Sequence, residues 1–321
     1  MDRSANWSLS TQTTSLGPFV VGAYAVTWVF LGPFFYVLNV KYGGQMQSWM
    51  WAWVPFAFLG GWGPTLAALV VTARAEGRPG VRRLLRSVSK WRVSVRWYVL
   101  VVAFPPAVTA LSFLVIDRGL GTLRDFDAGT ALGAIPVAYL LALPFGPLGE
   151  ELGWRGFALP RLLPRYGAAL ASLVLGVIWT FWHLPMMLWS PGASIPSVMG
   201  LSAFAIAVYL VQITSETVLM TWLFLRTDGS LLLAVLAHLT FNTAEAVVYG
   251  GLPESAVEQE RAVYLVHVAL LAAIALAVMW RLAMRRRDGR FGGAGQIERE
   301  AAEIIRRHRS ARRPISDCLS Q

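Results

Sequence analysis

The 321-residue sequence has one cysteine, Cys318, and four histidines. A single thiol excludes an intrachain disulfide framework and any multi-cysteine metal site. Charge is also scarce: Asp, Glu, Lys and Arg make up 14% of the chain, against about 25% in soluble domains. Lysine is nearly missing, with Lys41 and Lys90 the only two among 28 basic residues, a usage that suits a GC-rich bacterial genome. Met1–Thr14 is polar, without a basic opening or a small-residue cleavage site before an apolar core. It does not read as a secretory leader, so the first hydrophobic run is expected to be retained. The ending Cys318-Leu319-Ser320-Gln321 formally matches a prenylation box, but Ser320 is not aliphatic and chance explains it better.

What the sequence does hold is apolar surface. Hydrophobic residues make up 56% of it and tryptophan occurs 14 times, above the soluble norm of about 45–50% apolar. Indole rings favour bilayer interfaces. A bilayer span needs about 20 mostly apolar residues, and eight such runs fall at 16–40, 50–73, 97–116, 130–157, 168–190, 198–225, 230–250 and 262–284. The fold class expected is all-α, a polytopic membrane helix bundle of about eight transmembrane helices. The fourth run carries Pro144, Gly146, Pro147 and Gly149, which predict a kink or two half-helices. Lipid tolerates such breaks only where protein or a wet cavity satisfies the freed backbone groups.

The net charge of +10 is concentrated in Arg74–Arg96 and Arg281–Arg313. Basic clusters can bind nucleic acid, but the positive-inside bias of cytoplasmic loops accounts for these. The expected partner is the lipid bilayer, and nucleic acid is not expected. Alternation puts Arg155, Arg161, Arg165, Arg226 and the tail inside, and Asp117–Ala128, Ser190–Ser197 and Glu254–Glu260 outside. Both termini are then cytoplasmic. Residues 1–284 form the membrane domain, with a motif-bearing core at about 130–250, and 285–321 a basic cytoplasmic tail. Val81–Trp97 mixes arginines with Leu84, Leu85, Val88 and Trp91, which suits a helix lying on the membrane surface. Ile297–Arg309 reads as a charged helix in the tail.

Ionisable groups inside spans are costly, so each is a functional candidate. They are Glu150, Glu151, Arg155, His183, Glu216, His238, Glu245 and His267, joined by Asn242. If Gly149–Arg155 is helical, Glu151 and Arg155 stand one turn apart and can pair. Glu150 projects about 100° away and keeps a lone pair for a proton, unless both glutamates merely cap a helix end. His183 precedes a proline deep in an apolar run, where a lone histidine is more often a helix-packing hydrogen bonder than a catalyst. His238 and Asn242 share a helix face at i and i+4. They can donate to a developing oxyanion or act as an interhelical clamp. Glu216, beside Thr214 and Ser215, either lines the same cavity or pairs with a polar neighbour, and a carrier role in solute transport is the sharper alternative. His267 reads as structural, and His308 as a solvated tail residue.

The ordered set Glu150-Glu151 with Arg155, Trp179 with His183, and His238 with Asn242 resembles the CPBP family. This family comprises the CAAX prenyl proteases and bacteriocin-processing (Abi) intramembrane enzymes. Trp179 stands where phenylalanine is common. The resemblance covers about 130–250 and implies an eight-helix membrane hydrolase whose catalytic cavity opens to the cytoplasm. It implies a water activated by Glu150 and His183, an oxyanion held by His238 and Asn242, and support from Glu151 and Arg155. It also implies a multi-pass protein of the inner cell membrane that acts on a protein or peptide substrate. The family is commonly labelled metalloprotease, and Glu150, His183 and His238 would be a three-ligand zinc set with one open position. The H-E-x-x-H spacing of zincins is absent, and the preferred reading needs no obligatory metal. The alternative on the same fold is a non-catalytic bacteriocin-immunity or partner-binding membrane protein.

Overall fold

The computed structural model describes residues 16–116, 127–189, 199–250 and 260–287, and among them the chain is helical with no strand. In lipid each backbone N–H and C=O must be satisfied within the segment, which apolar helices achieve. Helix α1 (Leu16–Phe35) continues into a wider π turn, Tyr36–Lys41. A 3-10 segment, Ser48–Trp53, leads into α2 (Val54–Gly61), followed directly by α3 (Gly63–Arg86). Next come α4 (Val95–Ile116), α5 (Ala128–Phe145) and α6 (Pro147–Gly153). A π turn, Trp154–Ala158, joins α6 to α7 (Leu159–Trp182), and α8 (Leu184–Trp189) follows. The remaining helices are α9 (Ala203–Arg226), α10 (Leu231–Gly250) and α11 (Glu260–Arg287).

Among the described residues, five segments are long and apolar enough to cross a membrane: Leu16–Lys41, Val95–Ile116, Pro147–Trp182, Ala203–Arg226 and Glu260–Leu282. Ser48–Gly61 and Gly63–Ser89, bent by 54°, make a sixth if taken as one span. The polytopic helical bundle is therefore present, while length and apolarity alone do not reach the count of eight. The expected fourth span, 130–157, is broken at Gly146, where the backbone leaves the helical region (φ −138°, ψ −91°) between α5 and α6. From Pro147 the chain runs on as helix to Trp182, interrupted at Gly167, whose φ of 70° suits a residue without Cβ. The expected surface helix over Val81–Trp97 is shorter. It ends by Ser89, and residues 90–94 form an irregular turn, with the Lys90 ammonium donating to the Asp228 carbonyl at 2.7 Å. The two terminal segments, the Cys318 box, the tail helix at Ile297–Arg309 and His308 lie outside the described residues, as does the side chain of Glu245.

Small residues draw the helices around α6 together. A Cβ added at Gly153 would sit 2.5 Å from the Pro64 carbonyl, and one at Gly149 would sit 3.0 Å from the Gly61 carbonyl oxygen. Gly149 and Gly153 are four apart, one turn of helix. They let α6 lie backbone to backbone on the α2–α3 bend, as small-xxx-small pairs do in membranes. The Trp62 indole N–H donates to the Pro144 carbonyl at 2.8 Å, which satisfies an acceptor near the break. On the other side Phe19 stacks on Phe157 at 4.8 Å and meets Trp154 edge-on at 5.5 Å. The Tyr24 hydroxyl donates to the Ile178 carbonyl at 2.6 Å and the Trp28 indole to the Trp182 carbonyl at 3.1 Å, fixing α1 to the end of α7. Glu76 on α3 accepts from Arg83 and, at 3.1 Å, from Arg161, closing the bundle at the base of α7. Asp127, outside the spans, caps α5. The Thr130 hydroxyl and N–H both donate to its carboxyl and hold it below the usual carboxylate range.

Candidate active site

Glu150 and Glu151 face different partners because they are one residue apart on α6. Glu151 is fully buried, and its Oε1 accepts from Arg155 Nη1 at 2.7 Å, the i, i+4 pair expected from the sequence. The same oxygen lies 2.8 Å from His238 Nδ1. The Arg155 guanidinium, also fully buried, lies 4.3 Å over the ring of Trp179. Glu151 is thus the join between the π turn after α6 and helix α10, more than the local support the sequence suggests.

Glu150, 5% exposed, turns toward α7. Its Oε2 accepts the Trp179 indole N–H at 2.7 Å and the Trp154 indole N–H at 3.4 Å. Its Oε1 faces Gly146: a Cβ built there would sit 3.5 Å from that oxygen and 3.7 Å from Asn242 Nδ2. The break between α5 and α6 therefore leaves a small space bounded by the free carboxylate oxygen and the amide of Asn242. Asn242 is exposed, unlike its neighbours in the site, so this is where the cluster meets its surroundings.

His183 and His238 present their rings differently. His183 Nδ1 lies 2.8 Å from the Trp179 carbonyl oxygen, an acceptor, so Nδ1 carries the proton and Nε2 the lone pair. Its half-buried ring meets Trp182 edge-on at 4.7 Å and Tyr209 at 5.7 Å. The His238 ring, 2% exposed, meets Trp179 edge-on at 4.9 Å. The Trp179 ring also lies 5.9 Å from that of His183, so one indole touches both imidazoles. The acid, the two imidazoles and the amide named from the sequence thus gather around one locus, with Trp179 at its centre.

Sequence reasoning passed over the function of two tryptophans. Trp179 counted only as a large aromatic, yet its N–H reaches the Glu150 carboxylate and its ring packs against both Arg155 and His238. Trp154 supplies the second N–H and follows Glu150 by four residues, one helical turn, which was a readable signal. Glu216, 4% exposed on α9, accepts from Gln212 Nε2 at 3.0 Å, and Gln212 Oε1 accepts from the Tyr264 hydroxyl at 2.6 Å. The expected polar neighbour is thus Gln212. His267 is buried within α11.

No group of three or more His, Cys, Asp or Glu placed to hold a metal ion occurs among the described residues. Glu150, His183 and His238, the zinc set considered above, do not form one. Glu150 Oε2 is also taken by two indole donors, a cradle suited to a bare carboxylate. The donor set does not fit a zinc ion.

These features define a class: a polytopic helical bundle with a buried acid–imidazole–amide cluster at a broken membrane helix. Residues 132–244 match the family model described as "Type II CAAX prenyl endopeptidase Rce1-like". A stretch of 154 residues is 28% identical to CAAX prenyl protease 2 of Methanococcus maripaludis, covering 47% of this chain and 56% of that protein. The chain thus matches little more than half the length of that relative. Over this motif-bearing segment the chain is similar to CAAX prenyl proteases, in keeping with the CPBP resemblance of its motifs.

Proposed function

We propose that the protein is an intramembrane endopeptidase of the cell's inner membrane that hydrolyses a peptide bond without an obligatory metal. Glu150 carries the reaction through Oε1, the oxygen left over when two indoles hold Oε2. A water accepted by Glu150 Oε1 and His183 Nε2 gives one proton to Glu150, and the hydroxide attacks the scissile carbonyl. The resulting oxyanion takes hydrogen bonds from Asn242 Nδ2 and His238 Nε2. Because His238 Nδ1 already donates to Glu151, only the imidazolium has an Nε2–H to offer. Glu151 lies against that Nδ1 and is itself held by Arg155. Collapse of the tetrahedral species breaks the C–N bond, and the proton on Glu150 passes to the leaving amine. The products are a carboxylic acid and an amine, and Glu150 regains its resting form.

The single supporting observation is the shared space at Gly146, where the free oxygen of Glu150 and the amide of Asn242 both come within contact of one point. The substrate class proposed is a membrane-associated protein cut near its C-terminus, after the CAAX prenyl protease that this chain resembles over part of its length. The test is cleavage of farnesylated and unmodified C-terminal peptides by purified protein in lipid nanodiscs. Cleavage of at least one set by the wild type, lost in Glu150→Ala and His238→Ala, supports the reading. Cellular activity that survives both substitutions would instead support a non-catalytic partner-binding protein.

A further inference from the structure

The mechanism above leaves one deeply buried carboxyl unused. Glu216 sits mid-helix on α9, makes no ion pair among the described residues, and takes its hydrogen bond from a neutral amide. Its partner is itself fixed: the Tyr264 hydroxyl donates to Gln212 Oε1, so the amide NH₂ of Gln212 must point at Glu216. The chain Tyr264–Gln212–Glu216 therefore ties α11 to α9 and ends on a carboxyl of the helix that meets His183 through Tyr209 and packs against the His238 helix α10.

Counting charge around the locus decides the state of this group. Two carboxylates, Glu150 and Glu151, are balanced by Arg155 and the His238 imidazolium that the proposed mechanism requires. Glu151 accepts from two cationic groups and Glu150 from two N–H donors, whereas Glu216 receives only one neutral N–H. Among the described residues no cation pairs with Glu216: the ionisable groups along the middle of the helices packed on it are Tyr209 on α9, His183 on α7, His238 on α10, and Tyr264 and His267 on α11, while Arg161, Arg165, Arg226, Arg261 and Arg281 stand toward the helix ends. An ionised Glu216 would leave a buried net negative charge, which a low-dielectric interior strongly disfavours.

We infer that Glu216 is a positioning residue held as the neutral acid by the Tyr264–Gln212 relay, so that the field at His238 stays fit to receive an oxyanion. This inference rests on the hydrolase reading for its consequence in rate, though not for the protonation itself. When Glu216 loses its proton at alkaline pH, the added negative charge opposes the developing oxyanion and cleavage slows. Glu216→Gln is neutral at every pH and imitates the protonated acid.

The test has a substrate-free arm and a kinetic arm, both on the full chain in nanodiscs. In infrared spectra at neutral pH the wild type shows a protonated-carboxyl C=O band that Glu216→Gln lacks and that Tyr264→Phe shifts. Kinetically, Glu216→Gln keeps its neutral-pH rate within about threefold and moves the alkaline limb of the pH–rate profile upward by about one pH unit or more. Absence of any such band assignable to Glu216, or a profile of Glu216→Gln superimposable on the wild type, overturns the inference. Should Glu216→Gln fail to fold, alkaline titration of the wild-type band and its shift in Tyr264→Phe decide it, a band unmoved in Tyr264→Phe counting against the relay. If no peptide is cut at all, the hydrolase reading fails on its own while the infrared arm still decides the proton.

Discussion

The Nδ1 of His238 lies 2.8 Å from Glu151 Oε1, so two residues 87 apart in sequence share one buried contact that joins α10 to α6. Arg155 holds the same oxygen from the other side, and neither Glu151 nor Arg155 has any exposed surface. Removing one partner of a buried ion pair leaves a charge unpaired, at a cost of about 3–5 kcal/mol. Arg155→Met is therefore expected to destabilise the protein by that order, more than Arg165→Met on the same stretch. Thermal unfolding in detergent measures it, and equal loss in the two variants would remove Arg155 from the account.

Trp179→Phe tests the indole link between α7 and α6. Phenylalanine keeps a ring edge for His238 and loses the N–H that reaches Glu150 at 2.7 Å. A hydrogen bond to a charged group contributes about 1.5–3 kcal/mol, and Trp154 remains as a second donor. The expected outcome is a rate about tenfold lower, equivalent to about 1.4 kcal/mol, with the unfolding temperature little changed. A rate equal to wild type would show that the Trp179 N–H does not set the carboxylate.

The backbone approach at α6 predicts a sharp steric effect. A Cβ at position 153 meets the backbone of Pro64 at 2.5 Å, whereas at Gly17 it meets nothing within 4 Å. Gly153→Ala should cost about 1–3 kcal/mol through overpacking and disturb the turn that carries Glu150, and Gly17→Ala should be neutral. Stability and cleavage measured on both variants check this.

Metal removal is expected to leave cleavage intact. Overnight treatment with a strong chelator, followed by assay in metal-free buffer, should retain most of the rate. Loss of activity restored only by added zinc would contradict the metal-free mechanism proposed for Glu150, His183 and His238.

Much of this site was legible because its residues are out of place in lipid. Glu150, Glu151 and Arg155 stand in an apolar run, and helical spacing correctly pairs Glu151 with Arg155. The Pro144–Gly149 stretch likewise announces the break found at Gly146. What spacing cannot supply is contact between helices. The shared oxygen of Glu151, the Trp179 donor to Glu150 and the Tyr264–Gln212–Glu216 chain each join segments 29 to 87 residues apart. The bounds of the spans were also less legible, because hydropathy does not show that Pro147–Trp182 runs on as one helical stretch through the bend at Gly167.

The most direct measurement is single-turnover cleavage by wild type and Glu150→Ala, matched for unfolding temperature and read by mass spectrometry of the released C-terminal peptide. General acid–base catalysis contributes about 10²–10⁴-fold, so the variant should fall by at least that range with the cleavage position in the wild type unchanged. A Glu150→Ala protein that releases the same peptide at the same rate would contradict the account.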